Sequence, residues 1–151
     1  MKNILVRYLQ AVGLLLFANV LFDPGREGHL DGTIIESTGD IRVMLVKSAY
    51  TFGAAHKFLS DITAGNDNGR SASLGTKTVT SGVFDAADTT LVASAAVACN
   101  ALVIFQHTGV DATARVIAYI DTPSAGLPFT PAAGQTCNIT FDNGANKIFK
   151  L

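Results

Sequence analysis

The chain has no tryptophan, only two cysteines and four prolines. Charged residues occupy 15% of its 151 positions, where an average soluble protein has roughly 25%. Each shortage excludes something. Eleven Lys and Arg against twelve Asp and Glu leave a net charge of −1. That offers no basic surface for phosphate contacts, so nucleic acid is not an expected partner. Tyr8, Tyr50 and Tyr119 are the only tyrosines, so the chain lacks the stacking face of a typical sugar-binding module. Cys99 and Cys137 have no Cys or His partner at ligand spacing, and no metal site is expected. They read as small buried residues or, on neighbouring strands with Cα atoms within roughly 7 Å, as a disulfide.

Catalytic signatures are missing as well. His29, His56 and His107 fall in unrelated stretches without HExxH spacing. There is no G-x-S-x-G elbow, and no Gly-rich phosphate loop follows a strand. Asn66-Asp67-Asn68-Gly69 lacks the alternating ligands and distal glutamate of a calcium loop, and reads as a turn. Asn138-Ile139-Thr140 matches a glycosylation acceptor but falls within an expected strand, where the match is fortuitous. Asp85 and Asp88 read as turn-capping residues. The expectation is a protein that is not an enzyme, with no catalytic residues and no cofactor.

Apolar residues make up 48% of the sequence, and there are 14 glycines. A domain near this length buries roughly 68–70% of its unfolded surface, enough to fold around one core without metal or disulfide. High hydrophobicity with low net charge also excludes disorder. The charge is uneven. Residues 1–22 carry Lys2 and Arg7 and no acid, while the remainder holds nine basic and twelve acidic residues. That leading segment, MKNILVRYLQAVGLLLFANVLF, supports three readings. Its length approaches a transmembrane helix, but Arg7, Gln10 and Asn19 interrupt it. Its clean run, Ala11 to Ala18, suits a signal peptide, although Leu16 stands where a small residue is wanted before the cut. The third reading is an apolar arm or helix packed on the body or on a neighbouring subunit.

From Asp23 onward the sequence is expected to form a single domain, residues 23–151. Asp23-Pro24 reads as a helix start, with Asp23 as cap, Leu30 facing inward and Gly32 as the stop. Ile41 to Lys47 reads as a strand buried on both faces. Ala54 to Leu59 suits one helical turn, and Thr63 to Ser73 a loop. Lys77 to Thr80 and Val83-Phe84 flank a Ser81-Gly82 turn, and Thr89 to Ala93 follows. Ala101 to Gln106 and Arg115 to Asp121 suggest an antiparallel pair. Pro123, Pro128 and Pro131 keep residues 122–135 out of a central strand. Cys137 to Asp142 and Lys147 to Leu151 flank Asn143-Gly144, a hairpin signal. The reading is mainly β: an antiparallel sandwich or barrel of about 7–8 short strands with a short N-terminal helix.

Several phrases stand in a recognisable order: PGREGHLDG, IRVMLVKSAYTF, HKFLSDI, KTVTSGVFDAADTTL, ALVIFQHTGVDATARVIAYIDT and ITFDNGANKIFKL. Over roughly residues 18–151 the sequence resembles small structural proteins encoded in the head-and-tail gene region of tailed bacteriophages. Some of these are capsid decoration, or cement, proteins. The resemblance implies a non-enzymatic virion component on the capsid exterior, with the major capsid protein and copies of itself, as a homotrimer, for partners. No membrane is involved in the mature particle. A tail or head–tail joining role is the nearest alternative, and a secreted β-sandwich binding module is the alternative from another class. Residues 1–22 and the 122–135 loop are the expected contact elements, with Phe17, Phe22, Leu127 and Phe129 as apolar anchors. Each of these four also suits ordinary packing within the domain.

Overall fold

The computed structural model describes residues 19–62, 64–123, 125–145 and 147–151. The expectations for residues 1–18, Phe17 included, lie outside the described residues. Among the described residues are ten strands and one α-helix. In sequence order these are β1 (Asn19–Leu21), α1 (Asp23–Leu30), β2 (Ile41–Lys47), β3 (Asp67–Arg70), β4 (Thr78–Thr80), β5 (Val83–Asp85), β6 (Thr89–Val92), β7 (Cys99–Gln106), β8 (Arg115–Ile120), β9 (Thr136–Ile139) and β10 (Phe149–Lys150). They form three antiparallel sheets, ordered β1-β8-β7-β2-β3, β10-β5-β4 and β6-β9.

The central strands of the five-stranded sheet are buried on both faces, which explains why β2, β7 and β8 read as nearly continuous apolar runs. Side groups alternate across a strand, so each run feeds two cores. Val43, Leu45, Leu102, Ile104 and Ile117 meet Phe84, Leu91 and Cys137 from the smaller sheets on one face. Met44, Val46, Val103, Phe105 and Val116 meet Phe22, Tyr50, Leu59 and Ile62 on the other. That second face is covered by the segment after β2 rather than by a sheet. There, Tyr50, Phe52 and Tyr119 pack as a ring cluster, with Phe52 and Tyr119 centroids 4.8 Å apart.

The helix begins as the Pro24 signal suggests, but Asp23 lies within its first turn. Phe22 holds the cap position, and the helix start has no capping hydrogen bond from a side group. The Asp23 carboxylate instead accepts from Arg26 at 2.9 Å. Gly32, at φ +73°, ends the helix as expected. Leu30 does not face inward. It is 90% exposed, because the buried face is Pro24, Gly25 and Gly28. A Cβ on Gly25 would stand 2.8 Å from the Ile117 carbonyl oxygen, so α1 lies against β8 at a separation that only glycine permits.

Four other expectations are corrected. Asn19–Leu21 pairs with β8 in the main sheet, so the folded body begins before Asp23 and this end of the supposed arm is a strand. Asp67–Arg70, expected as loop, is a strand on the outer edge of β2. The helical turn falls at Leu59–Ile62, as a 3-10 turn, one segment later than Ala54–Leu59. The final hairpin does not form: β10 pairs with β5 and β9 pairs with β6. Among the described residues there are ten strands where seven or eight were expected. Cys99 and Cys137 are free buried thiols.

Candidate interaction surface

Among the described residues, the first face of the main sheet is not fully covered. Between β8, β9 and the C-terminal segment it opens into two adjoining clefts. One, of about 400 Å³, has Leu45 and Leu102 on its floor, with Leu127 and Phe129 opposite β9. The other, of about 890 Å³, runs along Val20, Leu21, Ile120, Ile148 and Phe149. Leu102, Pro123, Ile139 and Thr140 line both. The result is a long trough, apolar where Leu102, Leu127 and Phe129 line it and mixed along the larger cleft, where Arg26, Asp142, Lys147 and Lys150 also stand.

Local sequence builds these walls. The prolines of residues 122–135 prevent a regular strand, so the segment lies across the sheet instead of joining it. It is pinned by one bridge: Cys99 N–H donates to the Phe129 carbonyl at 2.8 Å, and Phe129 N–H returns to Cys99 at 3.0 Å. The Leu127–Pro128 peptide is cis. The far wall is fixed by two acids expected at a turn. Asp88 accepts from the Phe141 N–H at 2.9 Å, and Asp85 pairs with Lys147 at 3.2 Å. These two contacts guide the backbone from β9 past the cleft to β10.

Two of the expected contact residues therefore share one surface. Leu127 and Phe129 are half-buried, packed on the first core and lining the same cleft. Phe22 lies elsewhere: it is wholly buried in the second core, on the opposite face, where it takes the packing role that its apolar character also suited. Ile139, Ile148 and Phe149 line the trough without having been singled out. Their only sequence signal was apolar character in short strands near the C-terminus, which does not distinguish a lining residue from a core residue.

Each histidine has a neighbour of its own in the fold. His29 Nδ1 lies 2.7 Å from a Glu36 oxygen, His56 Nδ1 lies 2.7 Å from the Tyr50 hydroxyl, and His107 stands edge-on to Phe105. No group of three metal-ligating residues occurs among the described residues. Burial pushes both thiols up from their ordinary range, and Asn68 donates to Cys99 Sγ at 3.1 Å. No described helix is long and apolar enough to cross a membrane. No protein-family model matches the sequence, and no curated protein or solved structure matches it.

Proposed function

We propose that the protein is a non-enzymatic structural component of a tailed-phage virion, a cement protein on the capsid exterior that binds the major capsid protein and copies of itself as a trimer. The observation that carries the reading is the apolar trough beside β9, rimmed by Leu127 and Phe129. A concave surface with apolar side chains on its walls offers area that a partner or a ligand can bury. A cement protein stabilises a shell by burying such surface across capsomer joints, and many modest interfaces add up over a particle. The low charge fits the same role, because interface cores are depleted in charged residues. We read the fold as a sandwich-like body, with the β6–β9 pair layered over the main sheet and bridged to its edge at Ser71 and Leu91.

The experiment is binding of the purified protein to expanded capsids, with the position of bound copies read by cryo-electron microscopy. Density on the outer shell supports cement. Density confined to the tail or the head–tail junction overturns it and supports the joining role. One observation favours a second reading: 400 Å³ is also the size of a small-molecule pocket. A secreted binding module predicts a melting temperature raised by a small apolar ligand, and no binding to capsids.

A further inference from the structure

Two Asn-Gly dipeptides occur in the sequence, Asn68-Gly69 and Asn143-Gly144, in opposite surroundings. We infer that Asn143 is a site of spontaneous deamidation and backbone isomerisation, and that the fold protects the identical dipeptide at Asn68. The inference is independent of the virion reading.

The chemistry needs only water. The Gly144 backbone nitrogen gives up its proton to solvent base and attacks Cγ of Asn143. A bond forms between that nitrogen and Cγ, Nδ2 takes a proton from water, the bond from Cγ to Nδ2 breaks, and Nδ2 leaves as ammonia. Water then opens the five-membered imide at either carbonyl, leaving aspartate or isoaspartate. The step requires a carboxamide free to turn onto the next nitrogen, a nitrogen not held in a hydrogen bond, and no bulky group on the following residue. Glycine supplies the last condition at both sites. The fold decides the other two.

At Asn68 the fold blocks both. The residue is wholly buried. Its Nδ2 donates to the Ala95 carbonyl and to Cys99 Sγ, each at 3.1 Å. Its Oδ1 accepts from Ser94 Oγ and from the Ala95 N–H, each at 3.0 Å. The Gly69 N–H, the nucleophile, donates to Asp67 at 2.7 Å. At the other dipeptide, Asn143 and Gly144 are both exposed. Among the described residues nothing hydrogen-bonds the Asn143 carboxamide or the Gly144 N–H. Neither residue has the positive φ that a type I′ hairpin turn needs at both positions, because β9 and β10 do not pair. The dipeptide is therefore not held in a type I′ turn. Each conversion adds a negative charge beside Asp142, on the rim of the larger cleft, and isoaspartate lengthens the backbone there.

The test is prolonged incubation of the full-length protein at mildly alkaline pH, with peptide mapping by mass spectrometry and isoaspartate detection. The Asn143 peptide is expected to convert to two acidic products. Asn68 reacts only through local opening, so it should be at least about tenfold slower, since 1.4 kcal/mol of opening free energy already gives that factor. In urea both dipeptides should convert at similar rates. Gly144→Ala should slow conversion at Asn143 with the melting temperature kept, and Asn143→Gln should abolish the acidic species. Equal rates at the two sites in the folded protein would overturn the inference. So would an Asn143 that stays intact in the folded protein over a period that converts it in urea.

Discussion

Arg70 and Asp111 meet in a two-pronged ion pair, with guanidinium Nη1 and Nη2 at 2.7 and 2.8 Å from the two carboxylate oxygens. The pair ties β3 to the turn between β7 and β8. Arg70 Nε also donates to Asp67 at 2.6 Å, and its guanidinium lies over the Phe105 ring. Arg42 and Asp40 form a second two-pronged pair, at 3.0 and 2.7 Å, and bidentate geometry strengthens both.

The hydrogen bonds from Arg70 hold the Asp111 carboxyl below the usual carboxylate range. A folded-state pKa below the unfolded value stabilises the fold above about pH 4, and that contribution fades as pH falls through the folded value. Asp111 is partly exposed, so solvent screening keeps the contribution near the surface end of the scale. Asp111→Asn should lose about 1 kcal/mol at pH 7. Urea-unfolding midpoints of variant and wild type should converge in acid. A gap that persists below pH 3 would assign the effect to packing instead.

Tyr119 titrates at the other extreme. Burial among the rings of the second core, helped by the charge of Asp121, pushes its phenol up to about 12. A folded-state pKa raised above the unfolded value near 10 leaves stability intact below pH 10. Stability is then lost as pH rises toward about 12. Tyr119→Phe should match the wild type at pH 7 and retain more of its melting temperature at pH 11. Some alkaline loss should remain, because burial raises Tyr50 as well. Identical alkaline profiles for the two proteins would contradict this placement of Tyr119.

The apolar residues at the two ends of α1 have opposite fates. Phe22 is fully buried between Phe52 and Tyr119, while Leu30 is 90% exposed. Phe22→Ala should cost about 3–5 kcal/mol through lost burial and a residual cavity. Leu30→Ser should stay within about 0.5 kcal/mol of wild type. Thermal denaturation of both variants separates this arrangement from one in which α1 turns Leu30 inward.

Leu127→Asp places a charge on the cleft wall without touching the Cys99–Phe129 bridge. If the trough is the contact surface, the variant should bind capsids at least about tenfold more weakly, as for a residue near the centre of an interface. Its melting temperature should shift by only a few degrees, since the leucine is half-buried. Unchanged capsid binding would remove Leu127 from the contact.

Sequence alone determined the elements whose local pattern and burial agree. The apolar runs of β2, β7 and β8 can be satisfied only by a sheet covered on both faces, and Ser81-Gly82 can hardly do other than turn. Pro24 and Gly32 bracket the helix because their backbone preferences are local. Leu127 and Phe129 were legible as apolar residues in a proline-broken segment, hence unable to hide in a strand. Tertiary structure decided the rest, where the deciding partner is distant in sequence. Asp67–Arg70 has no strand composition; it is a strand because the edge of β2 offers backbone partners and a buried place for the Asn68 amide. Leu30 faces outward because Gly25 and Gly28 let the helix backbone, rather than a leucine, approach β8. Asn143-Gly144 carries a hairpin signal, yet Asp85 and Asp88 draw the flanking residues to β5 and β6 instead. The same two residues, Asn then Gly, are locked at position 68 and free at 143. Dipeptide chemistry is written in the sequence, but whether the groups can meet depends on hydrogen bonds that only the folded protein supplies.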